Sequence, residues 1–295
     1  MTYREKRRET MKKMVAGTAM ISLPSLLFGR FKKADGLMGE ELSEKINHSA
    51  CKWCYGDIPL DVLCQEGKKF GLQSIDLLGP KDWPVVQENG LTCAMGNGAE
   101  ISLTRGWNNP MFHEKLIQSY TDIIPVAKKY NIPSIICFSG NREGIDDETG
   151  LKNAAEGLKK IMSVAEEHKV NIVMELLNSK VDHKDYQCDH SEWGVALCEA
   201  VGSDRFKLLY DIYHMQIMEG DVIRTINENH QYFAHYHTGG VPGRHEIDDT
   251  QELYYPAIMK AIVETGFSGY VAQEFIPTWD NKLDALKEAI EICSV

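Results

Sequence analysis

Short apolar segments alternate with longer amphipathic segments from about residue 45 to the end of the chain. The segments SIICF at 134–138 and NIVMELL at 171–177 are apolar almost throughout. Such runs are typical of strands that are buried on both faces of a parallel sheet. Eight segments of this kind predict strands, at Ser49–Tyr55, Ser74–Leu78, Thr92–Gly96, Ser134–Ser139, Asn171–Leu177, Phe206–Ile212, Phe233–Thr238 and Tyr270–Ile276.

The segments between these strands have helical periodicity. Apolar residues recur at spacings of three and four, for example at Leu158, Ile161, Met162 and Ala165. Near Lys81–Glu88 a proline, Pro84, interrupts the pattern. The other helices are predicted at Phe112–Tyr130, Leu151–His168, Glu192–Val201, Asp221–Asn229, Tyr254–Thr265 and Leu283–Ile292.

Repeated strand–helix units predict an α/β fold. Eight units fit a closed (β/α)8 TIM barrel better than an open sheet, and about 250 residues is the usual length of such a barrel. No Pro-rich or Gly-rich linker divides residues 45–295 into two domains. The Gly-rich, charged segment HTGGVPGRHEIDD follows the seventh predicted strand, so we expect it at the face of the barrel where active sites form.

The first 40 residues have a different pattern and are excluded from the predicted fold. The basic segment MTYREKRRETMKKM precedes the apolar segment VAGTAMISLPSLLFG, an order typical of export signals. The pair Arg7-Arg8 resembles a twin-arginine signal, which predicts export to the periplasm. The alternative is a disordered basic leader on a cytoplasmic protein.

Composition narrows the class of protein. The chain has 295 residues and a net charge of −11, which argues against a nucleic-acid-binding protein with a basic face. No uninterrupted apolar stretch long enough for a membrane span follows residue 40. Eight cysteines are spread along the chain, and Cys51 and Cys54 form a lone CxxC motif, which by itself is weak evidence for a zinc or redox site.

Four residues with metal-binding side chains stand at strand ends in the second half of the predicted barrel. They are Glu175, Asp211, His237 and Glu274, separated by about one strand–helix unit each, or roughly 30 residues. The carboxyl ends of barrel strands meet at one face, so we expect these side chains to converge. Three carboxylates and an imidazole favour Mn²⁺, Mg²⁺ or Co²⁺, and Zn²⁺ also fits.

Two of these residues have alternative structural interpretations. Glu175 ends a buried strand and needs a partner, which a lysine such as Lys180 could supply instead of a metal. Asp211 could cap a helix. The next helix is predicted to begin later, near Asp221, which favours the ligand interpretation.

Further polar residues surround the predicted ligands. His235 and His237 lie on one face of their strand because strand side chains alternate. His214 follows Asp211 by three residues and can reach the same mouth if the chain turns there. Arg244, in the Gly-rich segment, presents a planar fork that suits a carboxylate or a hydroxyl–carbonyl pair.

The segments MELLN, YDIYHMQ, HYHTGGVPGRHEID and AQEF resemble the hydroxypyruvate isomerase family, within the xylose isomerase-like barrels. The resemblance extends from about residue 45 to the end of the chain. It implies a divalent metal held by Glu175, Asp211, His237 and Glu274. Glu175 and Glu274 would also act as acid and base, while His214 and Arg244 would orient substrate oxygens. Some hydroxypyruvate isomerases have Gln where this chain has His237, a histidine that the 3-epimerases share.

The resemblance predicts a metal-dependent isomerase that acts on a small carbohydrate or keto acid such as hydroxypyruvate. Proton transfer between two glutamates through a cis-enediolate would interconvert a hydroxy-aldehyde and a keto compound. A ketose 3-epimerase is the main alternative. The others are an inosose dehydratase-like lyase, an endonuclease IV-like phosphodiesterase and a non-catalytic sugar-binding barrel. Barrels of this kind often associate, so a homo-oligomer is also expected.

Overall fold

A computed structural model describes residues 46–295 of the chain. Within this range, seven parallel strands form one sheet in the order β2-β1-β7-β6-β5-β4-β3. The export signal predicted in residues 1–40 lies outside the described residues. The strands are β1 Asn47–Cys51, β2 Leu72–Asp76, β3 Ser134–Cys137, β4 Asn171–Glu175, β5 Phe206–Asp211, β6 Phe233–Thr238 and β7 Tyr270–Gln273.

Helices follow the strands along the chain, as the periodicity predicts. Pro84 stands in the first turn of α2, where a missing N–H costs no hydrogen bond, so it begins this helix and does not interrupt it. The described α-helices are α1 Leu60–Lys69, α2 Trp83–Glu88, α3 His113–Lys129, α4 Asp147–His168, α5 Ser191–Val201, α6 Ile212–Met218, α7 Val222–Asn229, α8 Tyr255–Glu264 and α9 Lys282–Cys293.

The predicted strand Thr92–Gly96 is wrong as a regular strand, although the segment does close the barrel. It lies between β2 and β3, with parallel bridges from Thr92 to Ser74 and from Gly96 to Ile135. The amide of Ala94 donates to the Ser74 side chain at 2.7 Å. Because this amide bonds to a side-chain oxygen and not to a strand carbonyl, the regular ladder is broken here.

Two other boundaries differ from the predictions. The first strand ends at Cys51, and the rest of the CxxC motif forms a 3-10 turn, Lys52–Tyr55. The helix after β5 begins at Ile212, not near Asp221. Asp211 is therefore the N-cap of α6, and its side chain accepts a hydrogen bond from the amide of His214 at 3.1 Å.

The interior combines an apolar core with buried polar residues. All eight cysteines are buried and unpaired, and among residues 46–295 no helix is long and apolar enough to cross a membrane. The (β/α)8 barrel architecture predicted from the sequence is confirmed, with an irregular segment in place of one strand.

Candidate active site

The four predicted ligands converge at the carboxyl ends of the neighbouring strands β4 to β7. One potential ligand atom from each of Glu175, Asp211, His237 and Glu274 lies within 4.8 Å of those of the other three. Asp211 is paired in register with His237, and Glu274 follows directly after β7. All four side chains are buried. Strand adjacency therefore brings together residues that are far apart in the sequence.

Both glutamates approach the same nitrogen of one imidazole ring. The Nδ1 atom of His237 lies 2.7 Å from Oε2 of Glu274 and 3.4 Å from Oε1 of Glu175. Lys180, the alternative partner for Glu175, donates instead to the backbone carbonyls of Ile217 and Met218. The Glu175 carboxylate therefore faces the cluster.

Arg244 lies across the mouth of this cluster. Its Nη2 atom donates to Oε2 of Glu274 at 2.5 Å and to Oδ2 of Asp211 at 3.2 Å. Its guanidinium also lies over the rings of Trp53 and Tyr213, 5.3 Å from each centroid. The sequence predicted that Arg244 reaches the mouth, and the structure places it in contact with two of the predicted ligands.

The loop that carries Arg244 is held by close backbone contacts. The amide of Gly240 donates to the carbonyl of His245, and the amide of Arg244 donates to the carbonyl of Gly240. A Cβ atom at Gly240 would lie 2.1 Å from the carbonyl oxygen of Glu246. Only glycine fits there without displacing the loop, which explains its place in the segment HTGGVPGRHEIDD.

His214 lies beside the cluster but is fully buried. Its Nδ1 atom accepts a hydrogen bond from the side chain of Asn178 at 2.6 Å, and its Nε2 atom lies 3.6 Å from Oδ2 of Asp211. Burial, followed by repulsion from Arg244, holds the pKa of His214 well below its usual value. A neutral imidazole is therefore expected, with its proton on Nε2. Its role in orienting substrate stays a prediction.

The electrostatics of the cluster result from burying three carboxyl groups together. Burial raises the pKa of Glu175 and the pKa of Asp211, and repulsion from Glu274 adds to both shifts. Burial also opposes ionisation of Glu274, but attraction to His237 and Arg244 outweighs it and holds the pKa of Glu274 well below its usual range. His237 and Arg244 therefore compensate the negative charge of Glu274, but they do not fully offset the cost of burying a charge on Glu175 and Asp211.

These residues fit a divalent metal. Three buried carboxylates and an imidazole with clustered donor atoms form an oxygen-rich ligand set with one nitrogen. Mn²⁺, Mg²⁺ and Co²⁺ accept such ligands. A dication would also compensate the charge that burial makes costly. Glu175, Asp211, His237 and Glu274 are the residues that would hold it.

Sequence reasoning missed Trp53, and it considered Cys51 only as part of a lone CxxC motif. The indole nitrogen of Trp53 donates to Oε1 of Glu274 at 2.6 Å. The sulfur of Cys51 lies 3.7 Å from Nε2 of His237. Cys51 is the last residue of β1 and Trp53 lies in the turn that follows it, at the same face as the ligands. The rule used for the later strands, that strand ends meet at one mouth, would have found them.

Comparisons with known proteins give the family and its range of activities. Residues 85–294 match the model of the xylose isomerase-like TIM barrel family. A Drosophila melanogaster protein that carries the name hydroxypyruvate isomerase is 29% identical, over 65% of this chain and 74% of its own length. The 2-oxo-tetronate isomerase of Pectobacterium atrosepticum is 24% identical, over 76% of this chain and 88% of its own. The D-psicose 3-epimerase of Ruminiclostridium cellulolyticum is 25% identical, over 63% of this chain and 64% of its own length.

Solved structures share the architecture. A Brucella melitensis protein described as an AP endonuclease of family 2 superposes with a TM-score of 0.73, covering 82% of this chain and 96% of that one. At 21% identity this likeness shows the fold alone. The relatives confirm the predicted class of enzyme, an isomerase or epimerase. The fold, the strand-end residues and the family match together show that the chain belongs to the xylose isomerase-like TIM barrel family.

Proposed function

We propose that this protein is a metal-dependent isomerase of a small α-hydroxy carbonyl compound of the hydroxypyruvate type. The observation that carries the proposal is the position of Glu175 and Glu274, whose carboxylates both approach Nδ1 of His237. Both carboxylates are buried, and each has an oxygen within 4.8 Å of ligand atoms of Asp211 and His237. Proton transfer between adjacent carbons requires one group that removes a proton and one that returns it, and two carboxyl groups at one metal site can fill these roles.

The reaction needs one group to remove a proton and a second to return it. A bound divalent metal would act as a Lewis acid on the substrate carbonyl. One glutamate takes the proton from the hydroxylated carbon beside the carbonyl, which leaves a cis-enediolate. The other supplies a proton to the former carbonyl carbon, while the hydroxyl proton passes from the first oxygen to the former carbonyl oxygen. The carbonyl has then moved by one position. Acid–base groups in such positions typically contribute about 10²–10⁴-fold in rate.

The remaining residues of the mouth have roles in binding. Arg244 offers a guanidinium fork that can contact a substrate carboxylate or hydroxyl oxygen. Trp53 is partly exposed beside it and presents an apolar ring edge to a small ligand. Relatives named for hydroxypyruvate and 2-oxo-tetronate support a substrate with a carboxylate next to a carbonyl. A small keto acid is therefore the substrate class that we propose.

Ketose 3-epimerisation is the second candidate. The same two glutamates could serve it, with the proton returned to the opposite face of the carbon from which it was removed. Two observations favour this alternative. The proposed nitrogen ligand is His237, a histidine that the resemblance implies for 3-epimerases as well. A D-psicose 3-epimerase is also among the relatives.

Proton exchange in D₂O distinguishes the candidates. Protein stripped with a chelator and reloaded with Mn²⁺, Mg²⁺ or Co²⁺ would be incubated with hydroxypyruvate, 2-oxo-tetronate and D-psicose, and the products followed by NMR. An isomerase moves the carbonyl and incorporates deuterium at the former carbonyl carbon. An epimerase incorporates deuterium at the inverted carbon and leaves the carbonyl in place. Stripped protein is expected to be inactive.

Matched variants test the two glutamates. Glu175→Gln and Glu274→Gln are each expected to abolish turnover, whereas Glu219→Gln, a carboxylate that bonds only to Ser191, is expected to retain it. Full activity in either active-site variant would overturn the proposed mechanism. Two results would overturn the proposed function if no proton exchange into the three compounds occurs. Cleavage of abasic DNA would favour a phosphodiesterase, and loss of water from a cyclic polyol would favour a dehydratase.

A further inference from the structure

A buried polar pair crosses the barrel interior below the predicted metal ligands. Nε2 of His235, on β6, lies 2.6 Å from Oδ2 of Asp76, at the end of β2. Both side chains are fully enclosed, so neither contacts solvent at the mouth. In sheet order β2 and β6 are separated by β1 and β7, so the pair spans the barrel interior.

The structure holds Asp76 in one orientation. Its Oδ1 atom accepts hydrogen bonds from the hydroxyl of Ser49 at 2.7 Å and from the hydroxyl of Ser74 at 3.0 Å. The amide of Met95, in the irregular closing segment, lies 3.3 Å from the same oxygen. With Oδ1 bonded in this way, Oδ2 is directed toward the imidazole of His235.

Such a pair is unusual in the interior of a barrel. Layers of Val, Ile and Leu commonly fill this space, whereas Ser49, Ser74, Asp76 and His235 are all buried here. Removing ionisable groups from water costs several kcal/mol, and a buried pair is often no more stabilising than apolar residues of similar size. Stability alone therefore gives little reason for this arrangement.

The pair lies directly beneath His237. The ring of His237 packs edge-to-face on the ring of His235, with centroids 5.2 Å apart. A ring nitrogen of His237 lies within 4.8 Å of potential ligand atoms of both Asp76 and His235. Since Nδ1 of His237 faces the glutamates, Nε2 faces the interior, where Cys51 lies at 3.7 Å.

The ring of a metal-binding histidine is generally oriented by a contact of its second nitrogen. In His237 that nitrogen lies 3.7 Å from the sulfur of Cys51, and the link to Asp76 runs through the ring of His235. We propose that Asp76, held by Ser49 and Ser74, is a positioning residue that fixes the ring of His235, which packs against His237 and so orients it for metal binding. The inference rests on the proposed metal site and not on the identity of the substrate.

Metal affinity tests the proposal with a readout other than turnover. Competition with a chelator would measure the Mn²⁺ affinity of the wild-type protein and of Asp76→Asn. The expected loss is about 10-fold, the lower end of the effect of removing a direct partner of a metal-binding histidine, because Asp76 acts through His235. The visible spectrum of the Co²⁺-loaded variant should change as well, because a displaced imidazole alters the ligand field.

Asp189→Asn is the matched control. Asp189 is also a buried aspartate, but its partners are Arg142, Ser179 and His190, away from the predicted ligands. It is expected to lose stability and keep the wild-type Mn²⁺ affinity. If Asp76→Asn does not fold, Ser49→Ala, which removes one of the bonds to Asp76, should still weaken Mn²⁺ binding about 2- to 10-fold.

The outcomes separate this inference from the proposed function. Unchanged Mn²⁺ affinity in folded Asp76→Asn, or in Ser49→Ala where the first variant fails to fold, would overturn the positioning role and leave the proposed function intact. Two ions per wild-type chain, reduced to one in Asp76→Asn, would also overturn it, because Asp76 would then be a ligand itself. A wild-type protein that binds no divalent metal would overturn both.

Discussion

The indole nitrogen of Trp53 donates a 2.6 Å hydrogen bond to the Glu274 carboxylate, which links the end of β1 to the end of β7. These residues lie 221 positions apart in the sequence. The bond occupies one oxygen of Glu274, and the other oxygen faces His237 and Arg244. The carboxylate is thereby held in one orientation beside the predicted metal.

Replacing Trp53 with Phe should reduce turnover while leaving the fold intact. The variant keeps an aromatic wall beside Arg244 and removes only the bond to Glu274. Hydrogen bonds to charged groups contribute about 1.5–3 kcal/mol, so we expect kcat to fall about 10- to 100-fold. Trp279→Phe is the control, since the hydrogen bond of this partly exposed tryptophan runs from its backbone amide to Glu246, and the substitution keeps it. Equal activity in both variants would show that the bond does not matter for catalysis.

Replacing Arg244 with Lys should lower activity although the charge is kept. A lysine ammonium cannot reproduce the fork that reaches Asp211 and Glu274, nor the stacking on Trp53 and Tyr213. We expect kcat/KM to fall at least about 10-fold.

Arg224→Lys is the control for this substitution. Arg224 pairs only with Asp221, three residues away on an exposed surface, and such pairs contribute little. A wild-type kcat/KM in Arg244→Lys would exclude a role for the guanidinium geometry in substrate binding.

Substituting Gly240 with Ala should displace the loop that carries Arg244. The added Cβ would lie 2.1 Å from a backbone carbonyl oxygen, which cannot move independently of the loop. Overpacking of this kind typically costs about 1–3 kcal/mol, and we expect turnover to fall because Arg244 moves too. Gly56→Ala is the control, because its Cβ would meet nothing closer than 3.6 Å. Thermal unfolding and steady-state kinetics would report the two effects, and wild-type values in Gly240→Ala would contradict the prediction.

Acidification should destabilise the barrel partly through His48. Nε2 of this buried residue of β1 lies 3.1 Å from the hydroxyl oxygen of Ser294, and burial lowers the pKa of His48 from 6.5 to about 4. The folded-state pKa is below the unfolded value, so the stability that neutral His48 contributes is complete above pH 6.5. It is lost as the pH falls toward 4. The shift corresponds to about 3 kcal/mol.

Urea unfolding at pH 7 and at pH 4.5 measures this contribution. The loss of unfolding free energy between the two values should be smaller in His48→Gln than in the wild-type protein, because glutamine does not titrate. Identical pH dependence in the wild-type protein and His48→Gln would refute the assignment.

Local sequence patterns were sufficient for the barrel and for the convergence of Glu175, Asp211, His237 and Glu274. Apolar runs mark buried parallel strands, and a residue at the end of such a strand must lie at the face where all strand ends meet. The same information was insufficient for the segment 92–96. There the apolar pattern predicts a strand, but the side chain of Ser74 takes up an amide that a regular ladder would use.

The sequence by itself therefore determined that Glu175, Asp211, His237 and Glu274 reach the mouth of this barrel. Only the tertiary structure decided which side chains touch: Trp53 with Glu274, Arg244 with Asp211, and His235 with Asp76. Strand order follows from local periodicity and short connections. Contacts across the interior depend on side-chain rotamers and on distances between strands that are not consecutive, and neither is encoded in the spacing of residues along the chain.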